Sequence, residues 1–90
     1  FYVYLLKSEK YDELYIGSTN DLKKRFSEHN KGNVFSTKSK RPYKLIYYEA
    51  YSVESDARRR EKMLKLRGQA RVHLLARLRD ELGSKKQNKT

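Results

Sequence analysis

The rhythm of apolar and polar positions changes several times along this chain, and each change marks an element. Residues 1–7 are dense in aromatic and branched side chains, and the same pattern resumes at 14–19 after a polar stretch at 8–13. Two antiparallel strands and a loop are the expected result. The spacing then turns helical. Leu22 and Phe26 are its apolar members, Asn20 or Asp21 is placed to cap it, and Gly32 to stop it, which predicts a helix over 21–31. Residues 33–42 are polar and basic without period and predict a surface loop, whereas 43–51 alternate and are rich in tyrosine, predicting a third strand. Ser52 or Ser55 is expected to cap a second helix running to Leu66. Gly68 separates it from a third, in which Leu74, Leu75, Leu78 and Leu82 recur at helical spacing. There are no internal repeats.

This order, β-β-α-β-α-α, predicts an α+β domain: a three-stranded, largely antiparallel sheet flanked by three helices. The domain is expected to occupy residues 1–82. Residues 83–90 contain no apolar side chain and are expected to form a disordered basic tail.

Charge narrows the choice of partner. The 22 Lys and Arg against 11 Asp and Glu leave a formal charge of +11 on 90 residues. Such a domain should bind a polyanion, and nucleic acid first, through a strongly salt-dependent term in which lysines and arginines displace condensed counterions. No apolar run approaches the roughly 20 residues needed to span a bilayer, and none has signal-peptide flanks, so a cytoplasmic location is expected. The absence of cysteine excludes a disulfide framework and a thiolate-held zinc, and two histidines are too few for a histidine cage. At this length folding hides only about 60–65 per cent of the unfolded chain's surface, so the core must be economical.

Three polar side chains sit where apolar ones belong. Residues 22, 25, 26 and 29 share a helix face, so Arg25 and His29 lie beside Leu22 and Phe26 and aim near the sheet. The alternative is an Arg25 that snorkels outward and a His29 that closes a buried edge. Glu61 is flanked by Ala57 and Leu64 on the inward stripe of the second helix, while Arg58, Arg59, Arg60 and Lys62 fall mostly on its solvated side. An unpaired buried carboxylate is costly, so Glu61 either pairs with a base such as Arg25 or binds a hard cation in a partly wet cleft. Tyr4 and Tyr15 can approach one another across neighbouring strands. Gly17, lacking a Cβ, lets a phosphate or a helix terminus come close to the strand end, or else marks a bulge.

Taken together, Tyr2-Val3-Tyr4, Tyr15-Ile16-Gly17, Arg25-x-x-x-His29 and the lone Glu61 resemble the GIY-YIG nuclease family. The resemblance spans roughly residues 2–66 and is closest to the small stand-alone bacterial branch, similar to the nuclease domain of the bacterial excision-repair endonuclease. The first triplet lacks the leading glycine. Ser18 stands where some members carry an active-site lysine, and His73 where several place an asparagine. The resemblance implies hydrolysis of phosphodiester bonds with a divalent ion, Mg2+ or Mn2+, held by Glu61. It makes Tyr4 the favoured acceptor of the attacking water's proton with Tyr15 hydrogen-bonding nearby, Arg25 the grip on the scissile phosphate, and His29 a positioning or proton-shuttling group. DNA is the expected substrate, in repair or recombination, with a protein partner supplying specificity.

Lys23, Lys24, Lys31, Lys38, Lys40 and Arg41 are the expected contacts to backbone phosphates, against the alternative of a merely solvated basic surface. Two rivals come from other classes: a catalytically silent nucleic-acid-binding module and a structural protein docking on an acidic partner. Neither requires the ordered set Tyr4, Tyr15, Arg25, His29 and Glu61.

Overall fold

A strand whose two faces are both covered needs apolar side chains at every position instead of every other one. Val3, Tyr4, Leu5 and Leu6 form such a run, and all four are buried at the centre of the sheet. The computed structural model describes residues 1–66 and 68–82; the tail expected at 83–90 lies outside the described residues. Strand β1 (Tyr2–Ser8) lies between β2 (Leu14–Thr19) and β3 (Tyr43–Ala50), in the order β2-β1-β3. Both pairings are antiparallel. The sheet is therefore antiparallel throughout the described residues, and the α+β order is the predicted one.

Helix α1 (Leu22–Lys31) covers one face and α2 (Glu54–Lys65) with α3 (Gln69–Arg77) the other. On the α2 side Val3, Leu5 and Ile16 pack with Ala57, Leu64 and Leu74. On the α1 side Tyr4, Leu6 and Tyr43 pack with Tyr15, Leu22, Phe26 and Leu45. The pairing of β1 with β3 shifts register between Leu5 and Leu6, which is why Tyr43 and Leu45 but not Tyr47 face α1. No helix among the described residues is long and apolar enough to cross a membrane.

The ends of α1 are as expected, while several other local expectations are corrected. Asp21, not Asn20, caps α1 by accepting from the Lys24 backbone N–H at 3.1 Å, and Gly32 closes it at φ 83°, a left-handed conformation that glycine adopts without strain. Neither Ser52 nor Ser55 caps α2. Val53 holds that position without a side-chain hydrogen bond, and Glu54 and Asp56 in the first turn offset the helix dipole instead. Helix α3 ends at Arg77, so Leu78 packs as its cap residue. Residues 33–42 are not a plain surface loop: Val34 and Thr37 are buried, and Lys38–Lys40 form a short 3-10 turn. Arg60, expected on the solvated side of α2, turns inward and grips Glu49 through two nitrogens, while Tyr47 and Tyr51 donate to the same carboxylate.

Candidate active site

The hairpin register sets the site. Tyr4 lies opposite Gly17, and the ring of Tyr4 crosses the strand at that point: a Cβ built on Gly17 would stand 2.5 Å from the Tyr4 hydroxyl oxygen and 2.7 Å from Cζ. Gly17 is buried, and the group it admits is the phenol of Tyr4 rather than a phosphate. There is no bulge in this pairing. The close approach expected at Gly17 is present, and it is made by the Tyr4 phenol.

From the other side α1 brings His29, whose side chain is fully buried. Its Nε2 lies 2.8 Å from the Tyr4 hydroxyl, and its Nδ1 lies 2.7 Å from Thr37 Oγ1. The Thr37 hydroxyl in turn points at the Val34 carbonyl at 3.4 Å. The chain is satisfied when Thr37 O–H donates to Val34, His29 Nδ1–H donates to Thr37, and Tyr4 O–H donates to a bare Nε2. Burial first, then the nearby positive charge of Arg25, pushes the imidazole down to about 4, so it is neutral at physiological pH. Burial likewise pushes the Tyr4 phenol up to about 12; Tyr15 adds to the rise and Arg25 opposes it. Tyr15 completes the cluster, with its ring centroid 4.9 Å from that of His29 and 6.2 Å from that of Tyr4.

Arg25 joins this buried cluster to solvent. Its side chain is 39 % exposed and pairs with Glu28 at 3.1 Å. Arg25 and Ser18 both line a cleft of about 450 Å3 whose rim includes Asp21, Lys24, Glu54 and Arg58. Glu61 reaches the neighbourhood from α2. Ser18 Oγ donates to its Oε1 at 2.6 Å, and Lys65 Nζ lies 2.8 Å from its Oε2. Burial raises the Glu61 carboxyl, but the hydrogen bonds from Lys65 and Ser18 outweigh it and leave the group below the ordinary carboxylate value, hence ionised. Its charge is felt at Tyr4. Of the two readings open for Glu61, pairing with a base is the one present, and the base is Lys65, one turn further along α2, not Arg25.

The structure thus gathers Tyr4, Tyr15, Arg25 and His29 around one point, with Glu61 arriving through Ser18 at the adjoining strand end. His73 is exposed on α3 and stands apart. The six expected phosphate contacts do not form one patch. Lys24 lines the cleft; Lys23 lines a separate groove with Tyr2, Phe26 and Tyr48; Lys38 and Arg41 line a third hollow; and Lys31 is exposed at the end of α1. Lys40 is engaged by Glu13 at 3.2 Å, and the Arg41 guanidinium folds over Gly32 and donates to the Lys38 carbonyl. Thr37 is the residue that sequence reasoning missed. Its only signal was a small polar side chain inside a polar loop, which does not distinguish it from Ser36 or Ser39.

Glu61 Oε1 and Oε2 and Ser18 Oγ are hard oxygen donors suited to magnesium or manganese, which keep several waters and take phosphate oxygens as further ligands. No group of three or more acidic, histidine or cysteine side chains among the described residues forms a closed cage. A single ionised carboxylate beside an open cleft fits an ion shared with a substrate phosphate once Lys65 gives up Oε2 and Ser18 turns its hydroxyl proton away from Oε1.

Comparison with known proteins adds a family match. The model of the GIY-YIG catalytic domain matches residues 1–73. The chain is 42% identical over 65 residues to a UPF0213 protein of Clostridium perfringens, covering 71% of this chain and 69% of that one. It is likewise 42% identical over 65 residues to a UPF0213 protein of Staphylococcus haemolyticus, covering 71% of this chain and 78% of that protein. A UPF0213 protein of Streptococcus agalactiae is 37% identical over the same length. No solved structure matches. A match across most of the folded body, with relatives 42% identical over 65 residues, places this chain in the GIY-YIG family of nucleases.

Proposed function

We propose that this protein is a divalent-metal-dependent endonuclease that hydrolyses phosphodiester bonds in nucleic acid, DNA being the favoured substrate and repair or recombination the setting. The observation that carries the reading is the buried relay from Tyr4 through His29 to Thr37, with Arg25 leading from it to the cleft. At neutral pH the resting pair is a protonated phenol and a neutral imidazole. A free phenolate is disfavoured there, but Tyr4 can accept the attacking water's proton as its own passes to Nε2. Tyr15, whose ring packs against those of Tyr4 and His29, lines the same point. Arg25 grips the phosphate as negative charge accumulates, and displacing Glu28 from it is the cost of binding. Glu61 and Ser18 would hold the magnesium or manganese ion. When bound, the ion stabilises charge on the phosphate and leaving oxygens.

A second reading is favoured by two observations: both Glu61 oxygens are already engaged and Tyr4 is sealed from solvent, as a catalytically silent binding module would allow. Nicking of supercoiled plasmid separates the two. The nuclease reading expects magnesium-dependent nicking by the wild type and its loss in Glu61→Ala; equal residual cleavage by both proteins would leave the silent module.

A further inference from the structure

A phenylalanine ring held almost wholly in water is unusual, because burying one contributes roughly 1.5–3 kcal/mol. Phe35 is 94% exposed. It is not on a loose segment. Val34 and Thr37 flank it and are both buried, and the Thr37 N–H closes a turn on the Val34 carbonyl at 3.1 Å. Thr37 is also the residue bonded to His29. The turn that presents Phe35 is therefore anchored on the relay of the candidate site, which fixes where the backbone of Phe35 stands.

The surroundings identify a partner by charge. Phe35 lines a shallow hollow of about 650 Å3 with Lys10, Lys38 and Arg41, and Ser36 and Ser39 complete its lining. No carboxylate lines this hollow. A flat apolar ring set among cations and hydroxyl donors fits a nucleobase carried on a phosphate backbone: the ring stacks while the cations neutralise the flanking phosphates. An apolar protein segment would match the ring but leave three cations facing it.

We propose that Phe35 is a base-stacking contact, receiving an unpaired or unstacked nucleobase on the strand whose phosphate lies at Arg25. This inference rests on nucleic acid being the substrate, and it goes further by assigning the protein a preference for substrates with a base free to leave the stack. Such a contact adds affinity without adding a phosphate contact.

The chain contains no tryptophan, so Phe35→Trp places a single reporter at this point. Titration in EDTA, which prevents cleavage, should quench its fluorescence with a single-stranded oligonucleotide. Heparin, a polyanion without bases, should compete the oligonucleotide away and produce no quenching of its own. Phe35→Ala should weaken oligonucleotide binding about five-fold or more, the loss expected for one stacked base, with an unchanged salt slope and an unchanged unfolding midpoint. Equal quenching by heparin, unaltered affinity in Phe35→Ala, or a spectral shift with anionic phospholipid vesicles alone would overturn the assignment. If the wild type binds the oligonucleotide with a steep salt slope while the reporter stays silent, only the stacking contact falls. If it binds no nucleic acid at all, the reading beneath it falls as well.

Discussion

His29 shows how much one buried polar residue asks of its neighbours. Both ring nitrogens are enclosed, so each must find a partner, and Tyr4 and Thr37 supply them from different elements. Removing one partner strands a buried N–H and costs about 1–3 kcal/mol. Thr37→Val, nearly the same shape, is expected to lower stability by that amount in urea unfolding, while Thr37→Ser restores most of it. The same substitution should remove the tautomer preference of His29 seen in nitrogen chemical shifts; an unchanged spectrum would contradict the hydrogen-bond chain. Gly17 makes a second demand at this scale. Gly17→Ala drives a methyl against the phenol of Tyr4, whose ring is buried and has little room to yield, so a loss of about 1–3 kcal/mol is expected, measured as a shift in the urea midpoint.

At the level of elements, most of the architecture was legible in the sequence because strand, helix and turn signals agreed. The continuous apolar run at Val3 to Leu6 foretold a strand, and only the central place of β1 explains why it does not alternate. Helix α1 was bounded by Asp21 and Gly32 through the chemistry of its own ends. Replacing Asp21 by Ala should cost about 1 kcal/mol, read from thermal or urea unfolding, since its carboxylate satisfies the Lys24 N–H. The entry to α2 was misread because two serines suggested a cap that the backbone leaves to Val53. The segment at 33–42 was misread for a different reason. Its fold comes from two buried anchors, Val34 and Thr37, that no period marks and whose partners lie elsewhere in the chain. Of the candidate site, Tyr4, Tyr15, Arg25, His29 and Glu61 were legible from motif and helix face. The bond from Ser18 to Glu61 was not, because pairwise geometry across two elements leaves no trace in spacing; the Lys65 pair, at i,i+4 within α2, was open to the sequence and was overlooked.

For the whole molecule the buried imidazole sets a dependence of stability on pH. Its folded value, about 4, lies below the ordinary value of about 6.5, so the unfolded chain binds the extra proton between these limits. Stability is therefore complete above about pH 6.5 and is lost as pH falls through 4, by about 3 kcal/mol from this residue. Glu49 and Glu61, both held below the carboxylate norm, lose their contributions further down, as pH falls below about 4.5. Urea unfolding between pH 7 and 4.5 should give a shallower decline in His29→Gln than in the wild type; parallel declines would contradict a buried neutral His29.

Function at this scale depends on whether the gathered residues act on a bound phosphodiester. Single-turnover cleavage of end-labelled DNA, with protein in excess and binding followed in parallel by anisotropy, tests this most directly. The account predicts that Tyr4→Phe, His29→Gln and Glu61→Gln bind DNA within a few-fold of the wild type but cleave it at least about a hundred-fold more slowly, as loss of general-base or metal-assisted catalysis requires. Cleavage by Tyr4→Phe and Glu61→Gln at the wild-type rate would contradict it.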